Sequence, residues 1–336
     1  MAVLRTLLAL GLLLGASQVG AEPAHVLRIG TLAPEGTGWA REFKAFARDI
    51  AGATDGQVEI KWYLGGIAGD EAEMFDHIRR QQLDGAASAG ALCERLAPSM
   101  RALRVLGLMT NFQETWHVLS QLRPQLLAEF KRSGFESLLL VPFGPHILFS
   151  RAPVRDFEDL RKGRFWIWDQ DDVLLLEAPE LGLKAVPLPP NQAGAAYEAG
   201  RLDGFISPPS VALSFQWSAQ ARYVTNLPLD MISGCLVLAD RAFDALSVDQ
   251  RKALSAAAAK LAVRFGDLGE HVDAALLGGL FARQGVETVP VSTKLRADFY
   301  NAARAARDHL GEKIATAELL RKILATLADY RAEYNR

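Results

Sequence analysis

The sequence predicts an α/β protein divided into two lobes, and three observations carry that expectation. Segments with the period of a strand alternate with segments with the period of a helix, the order that lays down a parallel sheet covered by helices. A six-residue pattern occurs twice, as Leu83-Asp84-Gly85-Ala86-Ala87-Ser88 and Leu202-Asp203-Gly204-Phe205-Ile206-Ser207, each time behind a helix-like stretch ending in polar residues. The chain has 336 residues, and 336 − 21 = 315 remain once an amino-terminal export signal is set aside, a length that suits two cores better than one.

The elements follow in order. Met1 to Ala21 carries a positive charge at Arg5, an apolar stretch from Leu7 to Leu14 and the small-residue ending Val19-Gly20-Ala21, the layout of a cleaved secretory signal. Nothing later in the chain reaches the roughly 18 uncharged apolar residues that a membrane helix needs, so an exported, soluble protein is expected. Val26-Leu27-Arg28-Ile29-Gly30 alternates as a strand, and Thr31 to Gly38 is a loop of Gly and Pro. A helix begins near Trp39, with Phe43, Phe46, Ala47 and Ile50 on one face. Val58-Glu59-Ile60-Lys61-Trp62 is the next strand, Gly65-Gly66 breaks the chain, and a helix from Glu71 leads to the first copy of the repeat. Two long apolar segments, Leu138 to Ser150 and Leu227 to Leu238, flank the second copy. They suit a chain that crosses from one lobe to the other and returns, leaving a cleft between the lobes as the place for a ligand. Asp298 to Tyr334 is helical by period and contains no Pro. Residues 25–148 with about 235–285 then form lobe I, and 149–234 with about 286–336 form lobe II.

Composition and absent motifs narrow the function. Lys plus Arg number 37 against 39 Asp plus Glu, a formal charge of -2 that becomes -3 without Arg5. A nucleic-acid binder needs a basic face to neutralise phosphates, and none is present. No phosphate-cradling loop occurs, Gly36-Thr37-Gly38-Trp39-Ala40-Arg41 lacks the third glycine of a dinucleotide turn, and Ser88 fails the nucleophile-elbow pattern. The six histidines show no metal-ligand spacing. No enzyme, cofactor or metal is expected. Cys93 and Cys235 both sit in apolar surroundings, which favours two buried free thiols, with a single bridge as the alternative in an exported protein.

From Leu27 to about Val289 the order of features resembles the substrate-binding subunits of tripartite ATP-independent periplasmic (TRAP) transporters, the dicarboxylate-binding-protein (DctP-like) family. The resemblance is carried by Leu27-Arg28-Ile29-Gly30-Thr31-Leu32-Ala33-Pro34, Gln57-Val58-Glu59-Ile60 running into Gly65-Gly66, the two Leu-Asp-Gly copies, Phe157-Glu158-Asp159-Leu160-Arg161-Lys162-Gly163, Val186-Pro187-Leu188-Pro189, and Phe243-Asp244-Ala245-Leu246-Ser247-Val248-Asp249-Gln250. It implies a periplasmic-binding-protein clamp of type II-like architecture, with hinge strands and long C-terminal helices. Such a clamp captures a small molecule in the periplasm and delivers it to TRAP membrane subunits.

Departures from the family pattern bear on the ligand. Family members that bind organic acids carry an Arg in the strand that here reads Arg164-Phe165-Trp166-Ile167-Trp168, and Trp166 stands in its place. In the same register a second cationic position falls on His146, an Asn on Ser207, an aromatic on Pro190 and an acidic residue on Ala89. Indole has a broad apolar face and one N–H, whereas a guanidinium fork grips a carboxylate with two charge-assisted bonds. A pocket for a relatively apolar, even lipid-like, ligand is therefore expected, with Trp166, Trp168 and Phe205 as walls, His146 and Ser207 as polar contacts, and Trp39 at the start of the first helix as a lesser candidate. A two-residue slip of register would instead offer Arg164 or Lys162 to a carboxylate. The Trp-Ile-Trp strand is similar to what a branch paired with a periplasmic helical-repeat protein would carry for hydrophobic cargo, so such a partner is also expected.

Overall fold

The computed structural model describes residues 23–334, so the expected export signal lies outside it. Its first elements are β1 (His25–Thr31), α1 (Gly38–Ala53), β2 (Val58–Tyr63), α2 (Glu71–Arg79), β3 (Gly85–Ser88), α3 (Ala91–Leu96), α4 (Phe112–Arg132) and β4 (Phe135–Pro145). The middle of the chain forms β5 (Ile147–Ser150), α5 (Phe157–Lys162), β6 (Arg164–Trp168), α6 (Asp172–Glu180), β7 (Lys184–Leu188), α7 (Pro190–Glu198), β8 (Gly204–Ser207), α8 (Pro209–Ser214) and β9 (Tyr223–Thr225). Then come β10 (Met231–Ala239), α9 (Asp240–Asp244), α10 (Val248–Ala275), α11 (Phe281–Arg283), β11 (Glu287–Val289), α12 (Thr293–Leu310) and α13 (Ala317–Tyr334).

These elements make two lobes, each around its own sheet. The first sheet runs β2-β1-β3-β10-β4 and the second β11-β9-β5-β8-β6-β7. Both have a parallel core, β2-β1-β3 and β7-β6-β8, but β10 lies antiparallel to β3 and β4, and β5 antiparallel to β8 and β9. The sheets are thus mixed, where strand–helix alternation alone suggested parallel ones. The long apolar segments cause this: each crosses between lobes and enters the next sheet from the opposite end. Strand alternation divides each sheet's residues between two cores. On β10, Cys235 and Val237 face the core under α2, α4 and α13, whereas Leu236 and Leu238 face α1 and α10. On β6, Phe165 and Ile167 face α5, α6 and α12, whereas Trp166 faces the opposite core with Phe205 and Trp217.

The repeat is a structural device used once per lobe. Arg28 on β1 donates its backbone N–H and its Nε to Asp84 Oδ2, both at 2.9 Å. Arg164 on β6 does the same to Asp203 Oδ2, again at 2.9 Å in both bonds. In each copy the Arg Nη2 also reaches a carbonyl at the end of the preceding helix, of Gln81 or Gly200. The glycine that follows admits the antiparallel neighbour. A Cβ on Gly85 would lie 2.1 Å from the Val237 carbonyl oxygen, and one on Gly204 2.2 Å from that of Phe149. Leu-Asp-Gly therefore ties a strand's arginine on one side and clears space for a backbone on the other.

Cys93 and Cys235 form a disulfide across 142 residues, with Cα atoms 5.9 Å apart, so the expectation of two free thiols is corrected. Cys235 pairs with Ser88 across the β10–β3 ladder, and α3 begins three residues after Ser88, which sets Cys93 above the strand. Apolar surroundings fit the bridge as well as they fit thiols, because the paired sulfurs carry no charge and no donor.

The boundaries between lobes also differ from those expected. The break between β4 and β5 falls at His146. Leu276 and Phe281 already belong to a core of the second lobe. The last helix, α13, buries Leu319, Leu320, Ile323 and Leu327 against Val118, Leu122 and Leu126 of α4 in the first lobe. Residues 286–336 are therefore not one block of lobe II. The turn at 311–316 lets α12 stay with the second sheet while α13 returns to the first. Among the described residues no helix is long and apolar enough to cross a membrane.

Candidate functional site

A cavity of about 160 Å³ lies between the lobes, at the carboxyl ends of the parallel strands β1, β3, β6 and β8. Open α/β sheets place ligands there because the loops leaving the strand ends diverge. Its walls are aromatic on both sides. In the first lobe Trp39 stacks on Phe143 at 4.5 Å and meets Phe265 edge-on at 5.0 Å. In the second, Trp166 meets Trp217 edge-on at 4.6 Å, with Phe215 and Trp168 beside them. Across the gap, the Trp168 ring lies 3.5 Å from where a Cβ on Gly90 would stand, so the lobes already approach each other at this point.

The polar end of the cavity is built around Arg104, at the close of a 3-10 turn, Pro98–Arg104. Each of its three nitrogens reaches a different carboxylate: Nη1 to Glu94 at 3.1 Å, Nη2 to Asp171 at 2.5 Å and Nε to Asp230 at 2.8 Å. The four side chains are all less than a tenth exposed. They join both lobes and a crossing strand, since Glu94 is on α3, Asp171 caps α6, and Asp230 immediately precedes β10. His146 Nδ1 stands 2.7 Å from the other Asp230 oxygen. Burial disfavours charge on Arg104, but the carboxylates outweigh it and hold its pKa well above the usual value. Burial likewise would raise Asp230, yet attraction to His146 and Arg104 brings it down to about 2. For Glu94 burial prevails over the pull of Arg104, and the charge on Asp171 adds to it, pushing the carboxyl up to about 7. Glu71 also lines the cavity, raised by burial against the hydrogen bonds it accepts. The Ser88 hydroxyl is within its reach but has no well-aligned partner.

The structure gathers most of the residues singled out from sequence. Trp166, Trp168, His146, Ser207, Ala89, Pro190 and Trp39 all line the cavity. Phe205 does not: it is fully buried, stacked between Tyr197 at 4.7 Å and Trp217 at 5.2 Å. It shares a strand face with Ser207 but sits two residues deeper, where α7 and Trp217 cover it. The polar contacts also differ in kind from those expected. Trp166 donates its indole N–H to the Leu188 carbonyl at 2.8 Å, and the Ser207 hydroxyl donates to the Pro208 carbonyl at 3.1 Å, so both donors are occupied within the protein. Arg164 is exposed and clasped by Asp203, and neither it nor Lys162 lines the cavity. The register slip that would have offered them to a ligand does not occur, because Asp203 claims Arg164 as part of the repeat.

Sequence reasoning missed Arg104, Asp171, Glu71 and the aromatics Phe43, Phe143, Phe215, Trp217 and Phe265. The available signal was charge inside an apolar context: Arg104 interrupts Ala102-Leu103 and Val105-Leu106, where a cation is buried only with partners. Among the described residues no group of His, Cys, Asp and Glu could hold a metal ion.

Comparison with known proteins places this geometry in context. The profile described as "Bacterial extracellular solute-binding protein, family 7" matches residues 29–313. Among solved structures, a galactonate-bound sugar-acid-binding protein of Advenella mimigardefordensis has a TM-score of 0.84 at 19% identity, covering 92% of this chain and 99% of its own. An extracytoplasmic solute receptor of Bordetella pertussis that binds pyroglutamic acid scores 0.82 at 18% identity, covering 90% and 99%. A TRAP periplasmic solute-binding protein of Desulfovibrio desulfuricans with bound sn-glycerol-3-phosphate scores 0.82 at 20% identity, covering 91% and 97%. No curated protein matches the sequence.

Proposed function

The chain belongs to the bacterial extracellular solute-binding proteins of family 7, and from that premise we propose that it is a TRAP receptor for an organic solute more apolar than the acids its structural neighbours hold. Proteins of this family bind solutes and are not enzymes. They present a small molecule to TRAP membrane subunits, and the two-lobed clamp with a central cavity suits that task.

One observation carries the ligand class. The arginine that lines the cavity already meets three carboxylates, while the surrounding walls are Trp, Phe, Pro and Leu. A carboxylate entering this site would be desolvated without gaining a free cation, a transfer that is strongly unfavourable. An apolar body gains roughly 25 cal/mol for each Å² it removes from water. The neighbours bind galactonate and pyroglutamic acid, which favours the competing reading of an acid ligand, but that reading requires Arg104 to release a partner.

Native mass spectrometry and organic extraction of the purified protein test the proposal, with an apolar co-purifying molecule expected. Tight calorimetric binding of succinate or galactonate by the unaltered protein overturns it. Export to the periplasm is part of the same reading, and amino-terminal sequencing of the exported protein should begin at Glu22. A periplasmic helical-repeat partner is its last part. A pull-down from periplasmic extract that returns only membrane subunits counts against that partner.

A further inference from the structure

We propose that Asp171 is a built-in substitute for a ligand carboxylate, masking Arg104 and thereby setting the receptor against anionic solutes. The inference rests on the receptor reading above and names the residue that decides its selectivity. Of the three carboxylates around Arg104, only Asp171 lines the cavity, so the Nη2 corner it occupies is the one that faces the ligand space. Glu94 and Asp230 hold the other two nitrogens from behind. Asp171 is fixed in this role by the backbone: it caps α6, its Oδ1 accepting the Leu174 N–H at 3.0 Å, which leaves Oδ2 pointing at Arg104. The pair spans the cleft, joining the end of the Pro98–Arg104 turn to the first residue before α6. A ligand carboxylate would have to displace a tethered one that loses no translational freedom on binding. It would also enter beside Glu71, a further carboxyl lining the same space.

The test compares octanoate with octanamide, two probes of equal length that differ in charge, by calorimetry. The unaltered protein is expected to prefer octanamide by at least tenfold. Asp171→Ser keeps a helix-capping hydroxyl, removes the charge and vacates the carboxylate's place, so the octanoate-to-octanamide affinity ratio should rise at least tenfold. Adding Arg104→Gln to Asp171→Ser should abolish that gain. Asp171→Asn, which retains the cap acceptor and turns an amide donor toward Nη2, provides the measurement if the serine variant does not fold. A folded variant whose ratio stays at the unaltered protein's value overturns the proposal, as does unaltered protein that binds octanoate as well as octanamide. If the unaltered protein binds neither probe, the apolar-ligand reading fails by itself. Pyroglutamate then decides the masking: binding gained in Asp171→Ser supports it, and none gained overturns it.

Discussion

Removing the disulfide gives the largest stability change that can be worked from this fold. The perturbation is Cys93→Ala with Cys235→Ala, or reduction of the unaltered protein. The bridge closes a loop of 142 residues, and the loop-closure relation gives about 17 cal/mol/K of denatured-chain entropy, or about 5 kcal/mol at 25 °C. Domains are stable by only about 5–15 kcal/mol, so the loss should be conspicuous. The natural assay is urea unfolding followed by tryptophan fluorescence, with the midpoint falling and the slope rising as the unlinked denatured chain expands. Both sulfurs are buried, so the alanine variant also loses some side-chain contacts, and reduction without substitution separates the two effects. A change below about 1 kcal/mol in both experiments would refute the reasoning, because it would mean that the denatured chain is confined by something other than the bridge.

Other expectations concern the repeat and the buried carboxyls. Gly85→Ala and Gly204→Ala should each cost more than about 2 kcal/mol in thermal unfolding, since the new Cβ meets backbone that cannot turn aside; unchanged melting would dismiss the close-approach account. Glu177 accepts the Leu106 N–H in full burial, and burial pushes its carboxyl from 4.5 up to about 8. Its stabilising contribution is thus complete below about pH 4.5 and is lost as pH rises through about 8, so Glu177→Gln should flatten the fall in stability between about pH 4.5 and 8, and an unaltered slope there counts against it. Asp230, lowered from 3.8 to about 2, has the opposite sign: its contribution, about 2 kcal/mol, is present above pH 3.8 and disappears as pH falls through 2. Asp230→Asn should weaken the fold by about 2 kcal/mol at pH 7, because His146 and Arg104 Nε lose their anionic partner while Glu94 and Asp171 still hold the rest of the guanidinium; denaturant titration that shows no loss would contradict the buried network.

What could be read from sequence was local, and what could not depended on distant partners. The Leu-Asp-Gly copies, the strands around them and the aromatic strand Arg164–Trp168 declare themselves through short patterns, and the cavity residues Trp166, Ser207 and Ala89 are reached by laying the pattern of the family this chain resembles over those strands. Phe205 was misplaced because periodicity gives a side chain's face but not its depth along the strand. The partners of Arg104 lie 10, 67 and 126 residues away, and no local pattern announces such a meeting. The cysteine pair is in the same position, since apolar flanks describe a buried sulfur without saying what it faces.

The return of α13 to the first lobe has a mechanical consequence. β1 and α13 belong to the same lobe, so both ends of the described chain leave from one body. The second lobe is strung between them as a loop, reached at His146, left before Met231, re-entered through the π-helical segment Leu276–Leu280 and left again after Leu310. Tension applied at the ends therefore loads the first lobe alone. The second hangs outside the line of force, held to the first by the chain crossings and by the Arg104–Asp171 pair across the cleft.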